Sequence, residues 1–170
     1  MLVSLWGYEG TLTVKSALNL APMLAVRPGG LRSAQWADID LDQGEWHYLI
    51  TKTMTEHIVP LSRQAVAVLR ELRPATAPVS PYVFPSARSP RRCMSDNAVL
   101  AALRRMDIPK DVMTGHGFRA SFRTLGDEVL KFRVDLIEHQ LGHNVKDALG
   151  RAYNRPLPAM ESEARAGSPR

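Results

Sequence analysis

The chain has 170 residues, 22 of them Lys or Arg and 17 Asp or Glu, and 45% of its residues are hydrophobic. This length is enough for one domain with a sizeable core, and no apolar run approaches the length of a membrane span. The first residues lack the basic segment and cleavage pattern of a secretory signal, and the lone Cys93 excludes an internal disulfide, so we expect a cytoplasmic protein. The formal net charge of +5 favours a polyanionic partner.

A poorly patterned leader, residues 1–12, precedes the first predicted helix. Thr13 is the expected N-cap of that helix, because apolar residues follow it at helical spacing. Pro22 is expected to kink or restart the helix. The following Arg-Pro-Gly-Gly, residues 27–30, predicts a turn.

Three short stretches rich in aromatic and β-branched residues come next, at residues 36–40, 45–51 and 57–61. They predict a small antiparallel sheet. Ser62 is then expected to cap a helix that runs to Leu72, since the apolar residues after it form one stripe.

A proline-rich connection, residues 74–90, predicts a long loop that is held by Tyr82-Val83-Phe84. The rest is predicted to be mainly helical, with Ser95 as a cap and helices at 96–106, 117–130, 134–141 and 145–153. The expected fold is therefore α+β and mainly α: a helical domain over residues 13–155, a three-stranded antiparallel sheet near its N-terminal third, and a flexible tail over residues 156–170.

Two local motifs combine histidine with other reactive side chains. His116-Gly117-Phe118-Arg119 places an imidazole and a guanidinium one helical turn apart, which suits a bound phosphate. Leu141-Gly142-His143 is followed ten residues later by Tyr153. Each motif alone is weak, because most such histidines are ordinary surface or capping residues and most such tyrosines are packing residues. We assign Phe118 and Leu141 to the core.

Two further candidate residues, both basic, lie in the first half of the chain. Arg27 belongs to Arg-Pro-Gly-Gly-Leu, and Lys52 falls in the turn between the second and third predicted strands, where a solvent-exposed charge is the default. His57 alternates with Val59 along a predicted strand, which favours a packed or hydrogen-bonding structural role.

The ordered set of these residues resembles the catalytic domain of the tyrosine recombinases, and most of all the integrases of prophages and genomic islands. The resemblance extends from about Ala17 to Arg155. It implies a set of six catalytic residues. They are Arg27, Lys52, His116, Arg119, His143 and Tyr153.

The resemblance also implies a mechanism. Tyr153 attacks a DNA phosphate and leaves a 3′-phosphotyrosine and a free 5′-hydroxyl, which needs neither ATP nor a metal or other cofactor. Because tyrosine has a pKa of about 10, a base must take its proton, and His116 is the candidate. Lys52 resembles the general acid of the family. Arg27, Arg119 and His143 would stabilise charge on the phosphate oxygens.

The partners that the resemblance implies are a double-stranded DNA attachment site, other recombinase protomers during synapsis, and an accessory DNA-bending protein. Arg91 and Arg92 are candidates for contacts with phosphates next to the cleavage point.

The sequence departs from the family pattern in two respects. Gly30 stands three residues after Arg27, where the family usually has an acidic residue that orients the arginine, so Gly30→Glu is predicted to raise cleavage. The chain before Thr13 is also too short for the usual N-terminal DNA-binding domains, and the tail after Asn154 is poorly patterned. We therefore expect a piece of a longer protein or the product of a truncated prophage gene.

Two other classes of function stay open at this stage. The departures from the family pattern favour an inactive DNA-binding remnant of a prophage integrase. A type IB topoisomerase would use similar chemistry, although the amino-acid sequences of the two arginine motifs argue against it.

Overall fold

The computed structural model describes residues 5–50 and 55–143. The predicted helix at 145–153 and the predicted tail lie outside the described residues. Within the described ranges, no helix combines the length and apolar character that crossing a membrane requires. The helices are α1 (Leu12–Leu24), α2 (Pro28–Arg32), α3 (Arg63–Thr76), α4 (Ala98–Arg105), α5 (Gly117–Thr124) and α6 (Val134–Gln140), and the strands are β1 (Ile39–Asp40), β2 (Glu45–Ile50), β3 (Thr55–Pro60), β4 (Pro85–Ser86) and β5 (Ser89–Cys93).

The first helix begins earlier than predicted and continues past Pro22. Thr11, not Thr13, is its N-cap, and the Thr11 hydroxyl accepts a hydrogen bond from the Val14 amide at 3.4 Å. Pro22 does not end α1. It lies in the last turn, so the one hydrogen bond that its missing amide hydrogen removes is lost close to the end of the helix. The helix ends at Ala25, whose left-handed backbone (φ 51°) is unusual for a residue other than glycine and redirects the chain toward Arg27.

Residues 27–30 do not form a simple turn. Arg27 is the N-cap of the short helix α2, and the Leu31 amide donates to the Arg27 carbonyl at 2.9 Å. Pro28 at the first helical position explains the difference, because its fixed φ suits a helix start and its missing amide hydrogen costs nothing there.

The predicted sheet is confirmed, with strand order β1-β2-β3 and antiparallel pairing throughout. Trp46 pairs with Val59, and Tyr48 pairs with His57. Because side chains alternate along a strand, these four lie on one face of the sheet. Trp46 and Val59 are fully buried, so this face packs on the core and carries Tyr48 and His57 beside it.

The segment after the sheet is more structured than its composition suggests. Ser62 caps α3 as predicted, with its hydroxyl accepting from the Ala65 amide at 3.2 Å, but the helix continues past Leu72 to Thr76. The predicted long loop contains the β4–β5 hairpin. Val83 and Phe84 are fully buried and hold this segment to the core, as expected.

The helices of the second half are close to those predicted. α4 begins after Asn97 without a side-chain cap, so Ser95 is not its cap. α5 ends at Thr124 and is followed by a π-helical turn, Leu125–Val129, where one continuous helix was predicted.

One main cluster of buried side chains joins α1, α3, the sheet and α4, and it includes Leu5 and Tyr8 from the predicted leader. A second, smaller cluster joins Ala25 to Ile137 and Leu141. It fixes α6 against the end of α1. The ends of α1, α5 and α6 therefore meet at one place.

Candidate active site

Arg119 lies in the first turn of α5 and links this helix to the C-terminal ends of α1 and α6. Its Nη1 donates to the Ala25 carbonyl at 2.5 Å, and its Nη2 donates to the Leu141 carbonyl at 2.8 Å. The same Nη2 lies 3.2 Å from Nε2 of His143. The guanidinium is thus fixed by backbone groups that are far apart in the sequence.

His143 is oriented by Glu138. The imidazole Nδ1 lies 2.5 Å from Oε2 of Glu138, and Nε of Arg123 donates to the other carboxylate oxygen at 2.8 Å. Partial burial opposes ionisation of Glu138, but the hydrogen bonds from His143 and Arg123 outweigh it and lower its pKa below the usual value. A carboxylate on Nδ1 favours the tautomer in which Nε2 is free to accept a hydrogen bond from Arg119.

Arg27 lies close to Arg119 and is held less firmly. Burial, and secondly the charge of Arg27, lower the pKa of Arg119. Nη1 of Arg27 is buried and has no hydrogen-bond partner within residues 5–50 and 55–143. Two guanidinium groups therefore lie side by side, and one of them has a donor without a partner among the described residues. A bound anion would stabilise this arrangement.

His116 precedes α5 and is exposed. Its loop packs closely on the start of α2, since a Cβ on Gly115 would lie 3.1 Å from Cγ of Pro28. His116, Pro28 and Arg32 line one cleft of about 410 Å³. The imidazole is therefore next to the helix that Arg27 begins, and it is open to a ligand.

His57 lies behind the arginines and is buried, in keeping with a structural role. Its Nε2 is 3.4 Å from the Gln140 carbonyl, and Nε2 of Gln140 donates to the Leu24 carbonyl at 3.1 Å. Burial lowers the pKa of His57 to about 4, so the ring is neutral at physiological pH. These contacts support the helix ends that Arg119 joins.

The structure brings together Arg27, Arg119 and His143 and places His116 beside them. Lys52 and Tyr153 lie outside the described residues. Phe118 and Leu141 are buried core residues, as predicted. Arg91 and Arg92 are exposed on β5.

Two residues of the site, Glu138 and Tyr48, were not predicted from the sequence. Glu138 precedes His143 by five residues and lies one turn from the end of α6, so a search for a carboxylate partner of His143 would have found it. No local pattern marks Tyr48, because its position depends on the pairing of β2 with β3.

The fold is that of a tyrosine recombinase catalytic core. The lambda integrase catalytic core matches with a TM-score of 0.64 and 20% identity, over 89% of this chain and 92% of that one. A lambda integrase dimer bound to a COC′ core site gives a TM-score of 0.64 and 18% identity, over 91% of this chain and 57% of that one. At these identities the likeness shows the fold alone.

Residues 8–159 match the model of the phage integrase family, and the chain belongs to that family. The integrase of Enterobacteria phage P4 is 34% identical over 168 residues, which are 89% of this chain and 38% of that protein. The prophage integrase IntZ of Escherichia coli (strain K12) is 34% identical over 148 residues, 86% of this chain and 36% of that protein. The chain thus spans just over a third of the length of these relatives.

Proposed function

We propose that this chain is the catalytic domain of a site-specific integrase that cuts and rejoins DNA in the bacterial cytoplasm through a 3′-phosphotyrosine. The observation that carries the proposal is the pair Arg27 and Arg119. Their two guanidinium groups lie together beside His143, and Nη1 of Arg27 has no hydrogen-bond partner in the part of the chain that the structure describes. Fixed cationic donors of this kind stabilise the charge that builds up on phosphate oxygens in the transition state.

In the proposed reaction, the Tyr153 hydroxyl attacks phosphorus while its proton passes to His116. The bond between phosphorus and the 5′-oxygen breaks, and Lys52 protonates the leaving oxygen. The reverse attack by a 5′-hydroxyl restores the phosphodiester bond, so no outside energy source is required. The exposed position of His116, next to the helix that Arg27 begins, supports its role as the base.

The proposed partners are double-stranded DNA containing an attachment site, further protomers during synapsis and an accessory DNA-bending protein. The exposed hairpin that carries Arg91 and Arg92 supports a contact with the DNA backbone. Such a contact adds affinity and salt dependence without sequence preference.

The test uses a pool of nicked duplexes whose sequence is randomised on both sides of the nick. Cleavage near the nick releases a short 5′-hydroxyl fragment, which traps the protein on the DNA. We expect a covalent adduct, stable to denaturing electrophoresis, from the natural chain and from Tyr8→Phe, but none from Tyr153→Phe. An adduct that persists in Tyr153→Phe would contradict the assigned nucleophile.

A second candidate function is DNA binding without turnover. The observation that favours it is Gly30, which offers no carboxylate to Arg27, whose Nη1 has no partner within residues 5–50 and 55–143. Salt-sensitive binding of the pool without any adduct would support this candidate. Relaxation of supercoiled plasmid without sequence preference would instead support a topoisomerase.

A further inference from the structure

The cleft of about 410 Å³ beside His116 lies between α2 and α4. One wall is α2, which contributes Pro28 and Gly29, and a second wall is the start of α4 with the residues before it. The third wall is the loop 114–116, which ends in His116. This α2–α4 cleft is therefore continuous with the candidate active site through His116.

The three walls of the α2–α4 cleft are fixed to one another. Nη1 of Arg32, on α2, donates to the Met94 carbonyl at 3.3 Å. Nη2 of Arg104, on α4, donates to the Met113 carbonyl at 3.1 Å and so holds the start of the loop 114–116. The same loop packs closely on α2, as described above. Each wall thus contacts both of the others, and the cleft is already formed before a ligand binds.

The lining of the cleft combines apolar walls with a polar rim. Ser95, Asp96 and Asn97 are exposed at the rim, and Asn97 makes no side-chain hydrogen bond that caps α4. A phosphate accepts hydrogen bonds only, and the Asp96 carboxylate would repel it. The edge of a nucleobase carries both donors and acceptors, and its faces are apolar. The lining therefore suits a nucleobase better than a phosphate. The apolar residues of the walls include Ala21, Val26, Leu31, Met94, Val99 and Leu100.

We propose that the α2–α4 cleft binds one nucleobase of the cleaved strand, unstacked from the duplex, in a nucleotide next to the reacting phosphate. The proposal rests on the proposed function, which brings a DNA strand to His116. A base held in the cleft fixes the strand relative to Arg27 and Arg119, and such positioning contributes to the rate of the chemical step. Unstacking a base costs free energy, and this cost is smallest where the duplex is already interrupted.

Gly29 allows the cleft to be filled without the loss of a contact. It lies on the α2 wall, and a Cβ built on it would meet no atom of another segment within 4 Å. Gly29→Phe therefore introduces a ring where there is open space. Gly29→Ala is the matched control, because it restricts the backbone in the same way and leaves most of the cleft free. Both changes remove a glycine from a helix, so the melting temperature should be unchanged or slightly higher in both variants.

The measurement uses nicked pools that carry 2-aminopurine, a fluorescent base whose emission is quenched by stacking. Each pool has this base at one defined nucleotide close to the nick. The described residues that line the cleft include no Phe, Tyr or Trp, so a base bound there should stay bright. With all DNA bound, as shown by anisotropy, we expect fluorescence to rise at one position with the natural chain and Gly29→Ala, but not with Gly29→Phe. The adduct rate should fall by about 100-fold in Gly29→Phe alone.

Tyr153→Phe separates failure of this proposal from failure of the proposed function. Base binding does not require cleavage, so the rise in fluorescence should persist in Tyr153→Phe and disappear when Gly29→Phe is added. If the natural chain forms no adduct but shows this pattern, strand cleavage is overturned and the nucleobase site is supported. Unchanged fluorescence at every position, or an equal rise with Gly29→Phe, overturns the nucleobase site even where the adduct forms.

Discussion

The two arginines of the site are held in different ways. Arg119 donates to the carbonyls of Ala25 and Leu141 and contacts His143. Arg27 begins a helix of five residues, and its Nη1 has no partner among the described residues. The fold therefore fixes one guanidinium by backbone contacts, whereas Nη1 of the other has no such contact within the described residues. Changes at the two positions should separate stability from catalysis.

Arg119→Lys is expected to have the largest effect, because it disturbs both stability and catalysis. A lysine cannot donate to two carbonyls in the fork geometry, so the Ala25 or Leu141 carbonyl loses its donor. We expect the adduct rate to fall by about 1000-fold. Urea unfolding should show a loss of about 1–3 kcal/mol in the free energy of unfolding. Unchanged stability would mean that the backbone contacts do not hold Arg119.

Arg27→Lys is expected to affect catalysis alone. The adduct rate should fall by about 100-fold, because the phosphate loses a donor of fixed geometry. The urea midpoint should stay that of the natural chain, since no hydrogen bond of Nη1 within the described residues is lost. Arg73→Lys, on the exposed side of α3, is the control and should change neither quantity. A loss of stability as large as that of Arg119→Lys would remove the difference between the two arginines.

Glu138→Gln tests the Arg119 side more gently. It weakens the orientation of His143, and we expect the adduct rate to fall by about 10-fold. The pKa of Glu138 is lowered in the folded chain, so its carboxylate stabilises the fold above the unfolded value of 4.5, and this contribution is lost as pH falls through the lower folded value. Urea unfolding across that range should therefore show the variant and the natural chain converging at acid pH. A gap that persists there would mean that the carboxylate charge is not what stabilises this region.

Local sequence patterns predict some of the residues around each of the two arginines. His116 and Arg119 are recognisable because they lie one turn apart, and Leu141-Gly142-His143 marks His143 as a candidate. The partners of Arg119 are not predictable in this way. The Ala25 carbonyl lies 94 residues away, and it points toward Arg119 only because Ala25 adopts a left-handed backbone that no composition rule assigns to alanine.

The missed β4–β5 hairpin shows a second limit. Proline-rich composition favours a loop, and the short strands lack an alternating pattern. The hairpin is held by contacts with distant segments: the Val83 amide donates to the Ala34 carbonyl at 2.9 Å, and Nη1 of Arg32 donates to the Met94 carbonyl at 3.3 Å. Contacts of this kind override local propensity and appear only once α2 is in place.

The smallest expected effect comes from His57, which supports the Arg119 side from behind. In the unfolded chain the imidazole of His57 has a pKa near 6.5, but in the folded chain burial lowers this pKa to about 4. Stability should therefore fall as pH is lowered between these values and be unaffected above them. His139, whose ring centroid is 5.7 Å away and whose pKa is also lowered by burial, adds to the same trend. In His57→Asn the loss of melting temperature over this range should be smaller by a few degrees.

Hydrogen exchange measured at acid pH identifies the region that protonation of His57 destabilises. The Leu141 amide, which donates to the Ile137 carbonyl, reports on the Arg119 side, and the Leu31 amide, which donates to the Arg27 carbonyl, reports on the other. The His57 ring lies against the Gln140 carbonyl at the end of α6, and burial opposes its charged form, so protonation should loosen α6 first. After correction for intrinsic rates, we expect protection to fall at Leu141 and to persist at Leu31 as pH approaches 4. Equal losses at both amides would mean that the two sides unfold as one unit, and that the arginines differ in their contacts but not in the stability of the structure around them.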